Sequence, residues 1–329
     1  MEEYDFDGLR LDAVHAINDG SETHFLDELA GCVREGPGRR RQVHLVLENE
    51  AKEVRYLRGP YDAQWNDDLH HALHVVLTGE SAGYYADYAD EPVANLGKAL
   101  AEGFVYGSGQ HPPPGALVSF VQNHDQVGNR AFGERIGRLA PPRAVRAATE
   151  LCLLAPQTPM LFMGEEWNAD SPFPFFCDFG RDLAPLVAEG RRAEFAGFFA
   201  AEDADSIPDP GAEEMFYRGK LDWEDLNGPE HAGHLELYRG LLTLRREELL
   251  PLFGGIPGGG AVYETVHERG LRVRWRLGDG SMLTLLANLG PGPLDGVERP
   301  SGGLLYASDG VADDVRELPG WSVLWYLAG

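Results

Sequence analysis

Residues 7–15 read DGLRLDAVH, and their reading decides the fold. Leu9, Leu11 and Ala13 alternate with Arg10, Asp12 and Val14. Successive side chains of a strand point to opposite faces, so the alternation predicts a strand over residues 6–13. One face is apolar and wants a core. The other sets a guanidinium beside a carboxylate, and burying an isolated charge is so costly that such groups are paired, protonated or functional.

The same pattern recurs along the chain. Short apolar runs predict further strands over 43–48, 117–123 and 160–163, and helical periodicity falls near 23–34, 69–78, 93–103 and 143–154. Strand alternating with helix argues for parallel βαβ units, which build either an open doubly wound sheet or a closed (β/α) barrel. No GxGxxG follows an early strand, so the dinucleotide-binding version has no support. Residues 171–229, rich in Pro, Gly, Asp and Phe, read as a long irregular insertion, followed by a helix over about 234–248. PLFGGIPGGG then breaks the pattern, and short strands with turn signals follow, GDGS marking a hairpin. The expected division is therefore 1–250 for the α/β part and 251–329 for a small antiparallel β-domain.

Acids stand where the strands end. In a (β/α) barrel the active site lies at the C-terminal ends of the strands. VHLVLENE delivers Glu48 to such an end, and ALVSFVQNHDQVGN delivers His124 and Asp125, alongside Arg10 and Asp12 of the first run. Glycoside hydrolysis needs this set: one carboxylate attacks the anomeric carbon and a protonated carboxyl group donates to the leaving oxygen. Arg10 would keep Asp12 ionised, Glu48 would need a more desolvated setting to hold its proton, and Asp125 with His124 could hold sugar hydroxyls and stabilise an oxocarbenium-like transition state.

Composition bounds the alternatives. A chain of 329 residues with 43% hydrophobic and 25% charged residues can build a sizeable core. Its formal net charge of −25 argues against nucleic acid and against an anionic membrane surface. Cys32, Cys152 and Cys177 are odd in number and contain no CxxC, which fits reduced thiols in a cytoplasm. The opening MEEYDFDG lacks an apolar h-region and reads as no signal peptide, and no apolar run is long enough to span a bilayer.

DGLRLDAVHAI, LVLENE and QNHDQVGNR resemble the nucleophile, acid/base and transition-state-stabiliser motifs of glycoside hydrolase family 13, the α-amylase superfamily. DAQWNDDLHHALHVVLTGE, LVSFVQNHDQVGNRAFGER, PMLFMGEEW and PFPFFCDF narrow the resemblance to members that release trehalose from maltooligosyl trehalose. The resemblance covers about residues 5–248. It implies an α/β fold, a partial (β/α)8 TIM barrel of about strands 4 to 8 followed by a small C-terminal antiparallel β-domain. It implies Asp12 as nucleophile, Glu48 as proton donor and Asp125 as stabiliser. Arg10 would orient Asp12, and His15 and His124 would contact sugar hydroxyls. Leu11, Ala13 and Val14 of the first motif would border the substrate, as would Gln126, Val127, Gly128 and Asn129 of the third. Trp65, Asn66, Asp67, Asp68, His70 and His71 match the WNDD-plus-HH stretch near the substrate, where the flat face of Trp65 could stack on a glucose ring. The substrate would be maltooligosyl trehalose or a related α-glucan, with no cofactor and no metal.

Two departures stand out. The family tends to carry a run like NDLNDPR after the acid, whereas this chain has Asn49, Glu50, Ala51, Lys52 and Glu53. The first three barrel strands have no counterpart, so the missing N-terminal half is expected in a full-length parent, and this polypeptide alone is expected to be unstable or inactive. Rival readings share the acids or the helix. A glycogen branching enzyme or a maltooligosyl trehalose synthase would pass the sugar to another hydroxyl, and a truncated barrel could serve only to bind carbohydrate. His70 and His74 stand at the spacing of a bidentate zinc pair, but HHALH lacks the Glu of HExxH. Glu165 and Glu166 of MGEEW would either bind substrate or pair with arginines of the barrel wall.

Overall fold

A computed structural model of the chain describes residues 1, 3–107, 109–195, 207–311 and 317–329. Strand β1, Gly8–Leu11, runs parallel to β2, His44–Leu47, with Leu11 opposite Leu47. Between them lies helix α1, Phe25–Glu35, whose N-cap His24 accepts a hydrogen bond from the Leu26 N–H and whose first turn carries Asp27 and Glu28, both favourable at the positive end of a helix dipole. β3, Ala63–Trp65, leads directly into α2, Asp67–Thr78, and then α3, Pro92–Glu102. Asn66 caps α2 by accepting from the Leu69 N–H, and Gly79 ends it in the left-handed conformation at φ 74°. β4, Leu117–Ser119, is followed by the short helices α4, His124–Gly128, and α5, Ile136–Leu139, then by α6, Pro142–Leu154, and β5, Thr158–Pro159. The five strands pair in chain order, each parallel to the next.

Burial explains the apolar texture of these strands. Leu45 and Leu47 of β2 are fully buried against Leu26, Ala30, Val33 and Tyr61, while Leu9 and Leu11 of β1 pack partly on the same cluster. Two strand expectations need correction. The ladder of β4 stops at Ser119 rather than running to residue 123, because Asn123 turns away to cap α4 with its side chain. The last strand is Thr158–Pro159, not 160–163: Met160 still donates to the Ser119 carbonyl at 2.8 Å, but the chain then turns through Gly164 at φ 82°. β3 carried no strand signal in the sequence, being only three residues long with Gln64 at its centre.

The insertion is more helical than its composition suggests. It contains α7, Ala184–Phe195, and α8, Glu213–Arg218; residues 196–206 lie outside the described residues. Ala, Leu, Glu and Arg dominate α7, and all are good helix formers. Helix α9, Pro229–Leu244, passes into a π-helical turn, Arg245–Leu249.

The C-terminal strands are β6, Ala261–Val266; β7, Gly270–Arg276; β8, Met282–Asn288; β9, Leu294–Asp295; β10, Gly303–Ala307; β11, Glu317–Leu318; and β12, Ser322–Ala328. Five of them form an antiparallel sheet ordered β10-β12-β8-β7-β6, and β9 pairs with β11. Trp275 and Trp325, both fully buried, stack across it at 5.7 Å.

Two compact units result. One comprises Met1–Phe120, Arg146–Met160 and Leu242–Gly329, and the other Val121–Val145 and Leu161–Leu241. Within the first, buried polar contacts tie α3 to the C-terminal sheet and the turn after α9 to the end of α6. The Trp275 indole donates to the Leu100 carbonyl at 3.3 Å. Arg245 donates to the carbonyls of Leu153, Ala155 and Gln157, covering the C-terminal end of α6 where unpaired carbonyls would otherwise be buried. Burial of that guanidinium pushes it down to about 10.

Gly97 is the closest seam between α3 and the C-terminal sheet. A Cβ there would lie 2.5 Å from Tyr263 Cδ2 and 2.8 Å from Leu271 Cδ1. Gly97→Val is expected to lower stability by ~2 kcal/mol, the usual cost of overpacking a filled site. Urea unfolding followed by tryptophan fluorescence checks it; an unchanged midpoint would show that this seam yields freely.

Candidate active site

The site in the first unit is built where β1 and β2 end together. Their ladder continues past the strands: the Glu48 N–H donates to the Leu11 carbonyl at 2.9 Å, and the Val14 N–H to the Glu48 carbonyl at 3.1 Å. Ala13 turns the chain at φ 45°, a left-handed conformation that few non-glycine residues adopt. The turn aims the Ala13 N–H at the Glu48 carboxylate, to which it donates at 2.5 Å. Arg10 hydrogen-bonds Asp12 through Nη1, and its Nη2 lies 4.0 Å from Glu48 Oε2. One guanidinium thus faces both carboxylates. Their surroundings differ: the Asp12 side chain is 76% exposed and that of Glu48 only 19%.

Trp65 has a cation over its ring. The Arg10 guanidinium carbon sits 4.1 Å from its ring centroid, and its edge meets Phe120 at 5.7 Å. A face covered by a cation is not open to a sugar; it seats Arg10. Arg10 Nε is buried and has no hydrogen-bond partner among the described residues, so the stack on Trp65 and the two carboxylates hold the group. His15 accepts from the Glu50 N–H at 3.2 Å and has Nε2 3.5 Å from the Glu50 carboxylate.

The stretch after Trp65 is mostly interior. Asn66 is fully buried, donating to Gln157 Oε1 at 3.1 Å while it caps α2. Asp68 is 1% exposed and ion-pairs with Lys52 at 2.6 Å. His70 is equally buried, stacked on Phe120 with Nε2 3.4 Å from the Tyr85 hydroxyl. Direct substrate contact by Asn66, Asp68 and His70 does not fit this burial, because their polar atoms are engaged inside the unit. Asp67 is half-buried. His71 packs among Tyr84, Tyr85 and Tyr88, and burial pushes it down to about 4, so it is neutral near pH 7. His74 stacks on Tyr85 at 4.0 Å with Nε2 2.7 Å from Glu80, a pairing that accounts for the zinc-like spacing of His70 and His74 in aromatic packing.

Asp125 belongs to the second unit, exposed in the first turn of α4 beside exposed His124. Asn123 accepts from the N–H groups of Asp125 and Gln126, fixing that turn. Asn129 donates to Asp125 Oδ1 at 2.8 Å, and Arg191 of α7 donates to the carbonyls of Gly128 and Arg130 and to Asn129 Oδ1 at 3.3–3.5 Å. Val127 and Gly128 are buried and serve as packing.

Glu165 fits the arginine-pairing reading better than the substrate-binding one, since its charge and that of Glu166 favour the buried Arg135 guanidinium. It is buried, accepts from the Tyr238 hydroxyl at 2.8 Å, and sits next to the turn at Phe162. Burial raises it to about 7. Arg135, also buried, donates to the carbonyls of Ser171 and Met163 as well. The residues that sequence reasoning passed over are Lys52, Gln64 and Arg191. Gln64, 1% exposed, exchanges hydrogen bonds with Asn49; a polar residue inside a buried strand was its signal. Lys52 showed only as a departure from the family's run and Arg191 gave no signal, because their partners are distant in sequence.

Comparison with known proteins fits this geometry. A malto-oligosyltrehalose trehalohydrolase from Deinococcus radiodurans is 41% identical over 268 residues, covering 75% of this chain and 43% of the relative. One from Rhizobium sp. strain M-11 is 38% identical over 340 residues, covering 94% and 54%. A solved Salmonella typhimurium structure assigned as an alpha amylase matches with a TM-score of 0.91 and 37% identity over 100% of this chain and 58% of its own. Residues 258–325 match a domain family of unknown function, DUF3459. The parallel sheet with acids at its strand ends, followed by an antiparallel sheet, is the architecture of the α-amylase class of glycoside hydrolases. Within that class the chain belongs to the malto-oligosyltrehalose trehalohydrolase family. It spans about half the length of the curated relatives it matches. Among the described residues, no helix is long and apolar enough to cross a membrane.

Glu165 makes the second unit pH-sensitive. Its folded value, about 7, lies above the ordinary 4.5, so its contribution to stability is fully present below about pH 4.5 and is lost as pH rises through 7. Glu165→Gln removes the titration. The variant is expected to match the wild type at pH 4.5 and exceed it at pH 8 by up to ~3 kcal/mol, the equivalent of that shift. Denaturant unfolding at the two pH values checks it, and equal stability at pH 8 would rule the effect out.

Proposed function

We propose that this chain carries the catalytic acids of a retaining glycoside hydrolase. In this reading it cleaves the α-1,4-glucosidic bond next to the trehalose end of maltooligosyl trehalose and releases trehalose. The single observation that carries the reading is the shared guanidinium: Arg10 holds Asp12 while lying 4.0 Å from the more enclosed Glu48. Asp12, exposed and cation-paired, is suited to attack the anomeric carbon as an ionised nucleophile. Glu48 takes the role of proton donor to the departing glycosidic oxygen by its motif LVLENE. The bond to oxygen breaks as the bond to Asp12 forms. Water, deprotonated by Glu48, then releases the sugar with its α configuration retained. Asp125 enters as the transition-state stabiliser by its motif QNHDQVGNR alone. His15 and His124, exposed near these acids in their motifs, are the candidates for sugar-hydroxyl contacts. The names of the relatives support trehalose as the product, and three free cysteines support a reducing cytoplasm as the place of work.

Trehalose release from maltooligosyl trehalose tests the reading, measured on the 329-residue chain and on a version extended upstream to the length of the curated relatives. In whichever version is active, Asp12→Asn and Glu48→Gln are each expected to lower kcat by roughly 10³-fold or more, the scale seen when a covalent or proton-transfer group is lost. Transfer to a second glucan without trehalose would point instead to a transferase. Unchanged release by Asp12→Asn would overturn the assignment.

A further inference from the structure

The four residues after Asn49 depart from the run typical of the family, and the structure gives one of them, Lys52, a definite partner. Lys52 turns back at φ 54°, with its N–H donating to the Asn49 carbonyl at 3.1 Å, and sends its ammonium 2.6 Å to Asp68. Asp68 is 1% exposed and also accepts from the N–H groups of Val105 at 2.6 Å and Tyr106 at 3.2 Å and from the Tyr88 hydroxyl. An acid this deeply buried needs such company, since an unpaired charge there would cost several kcal/mol. The three neutral donors belong to the segments around α3, and among the described residues Lys52 alone ties Asp68 to the loop of the acid. The next anchor along that loop is Asn49, which holds Gln64 by two hydrogen bonds.

We propose that the Lys52–Asp68 ion pair is a positioning device for Glu48: it clamps the loop that follows β2 onto the start of α2, so that the acid is held rigidly over the end of the strand. This rests on Glu48 acting as the proton donor. Lys52 touches no reacting atom. Its role is to remove freedom from a five-residue loop whose own composition, Glu-Asn-Glu-Ala-Lys, would leave it loose. A displacement of about 1 Å in a catalytic group costs up to ~10²-fold in rate without weakening substrate binding by the same factor. Positioning therefore separates kcat from KM.

The test compares Lys52→Met and Lys52→Arg in the active version, with thermal unfolding to establish that each variant is folded. Lys52→Met is expected to lower kcat by ~10-fold or more with KM within about twofold, and Lys52→Arg, which can still reach Asp68 as a cation, to restore most of the loss. Should Lys52→Met not fold, Asp68→Asn replaces it, with the same fall in kcat expected. A folded Lys52→Met with wild-type kcat, or a Lys52→Arg no better than the Met variant, overturns the proposal. A wild type that cleaves no α-1,4-glucan overturns the functional reading on which it rests, so the two failures are distinguishable.

Discussion

Leu11 stands opposite Leu47 in a parallel ladder, and the chemistry of the first unit depends on that register. Both strands end at the same level, so the residues just beyond them, Asp12 and Glu48, emerge side by side although they are far apart in sequence. A slip of one residue would turn every side chain to the other face and carry the two acids apart. The ladder outlasts the strands through the Glu48 and Val14 N–H groups, which is why the Ala13 turn can aim its own N–H at the Glu48 carboxylate. Arg10 completes the arrangement by facing both acids from a seat on Trp65.

Around this point the unit is knitted by buried polar side chains that each gather several segments. Gln157 accepts from Asn66 and Ser119 and donates to the Ala99 carbonyl, linking the starts of α2 and β5 to β4 and α3. Asp68 and Arg245 do the same for loops and helix ends. Short parallel strands of two to four residues supply few ladder bonds, so much of the positional accuracy falls to these groups. Each is fully partnered or nearly so, which is the condition under which a buried polar network stabilises rather than weakens a fold.

Much of this was legible before any coordinates. The alternation in residues 7–15 gave β1, helical periodicity placed α1 and α2 to within a few residues, and Arg10, Asp12 and Glu48 were singled out because charges at the ends of apolar runs are physically expensive. The misses have separate physical causes. β3 and β5 are too short for a period to show, the end of β4 is set by a cap made after the strand, and α7 lies hidden in a stretch whose Pro and Gly content signals irregularity. Asn66, Asp68 and His70 read as ligand-facing because their residue types suit sugars, yet they are buried, since exposure is not encoded in residue type.

Local chemistry is what the sequence by itself determined: which segments pair or coil, where helices start, and which acids could not be mere packing. Only the tertiary structure decided who meets whom. That Trp65 seats a guanidinium, that Asp68 is a buried anchor for Lys52, and that Glu165 lies beneath Tyr238 all depend on contacts between residues remote along the chain. Such contacts follow from strand order and helix docking, which the summed burial of the whole core selects, and no short window of sequence contains that sum.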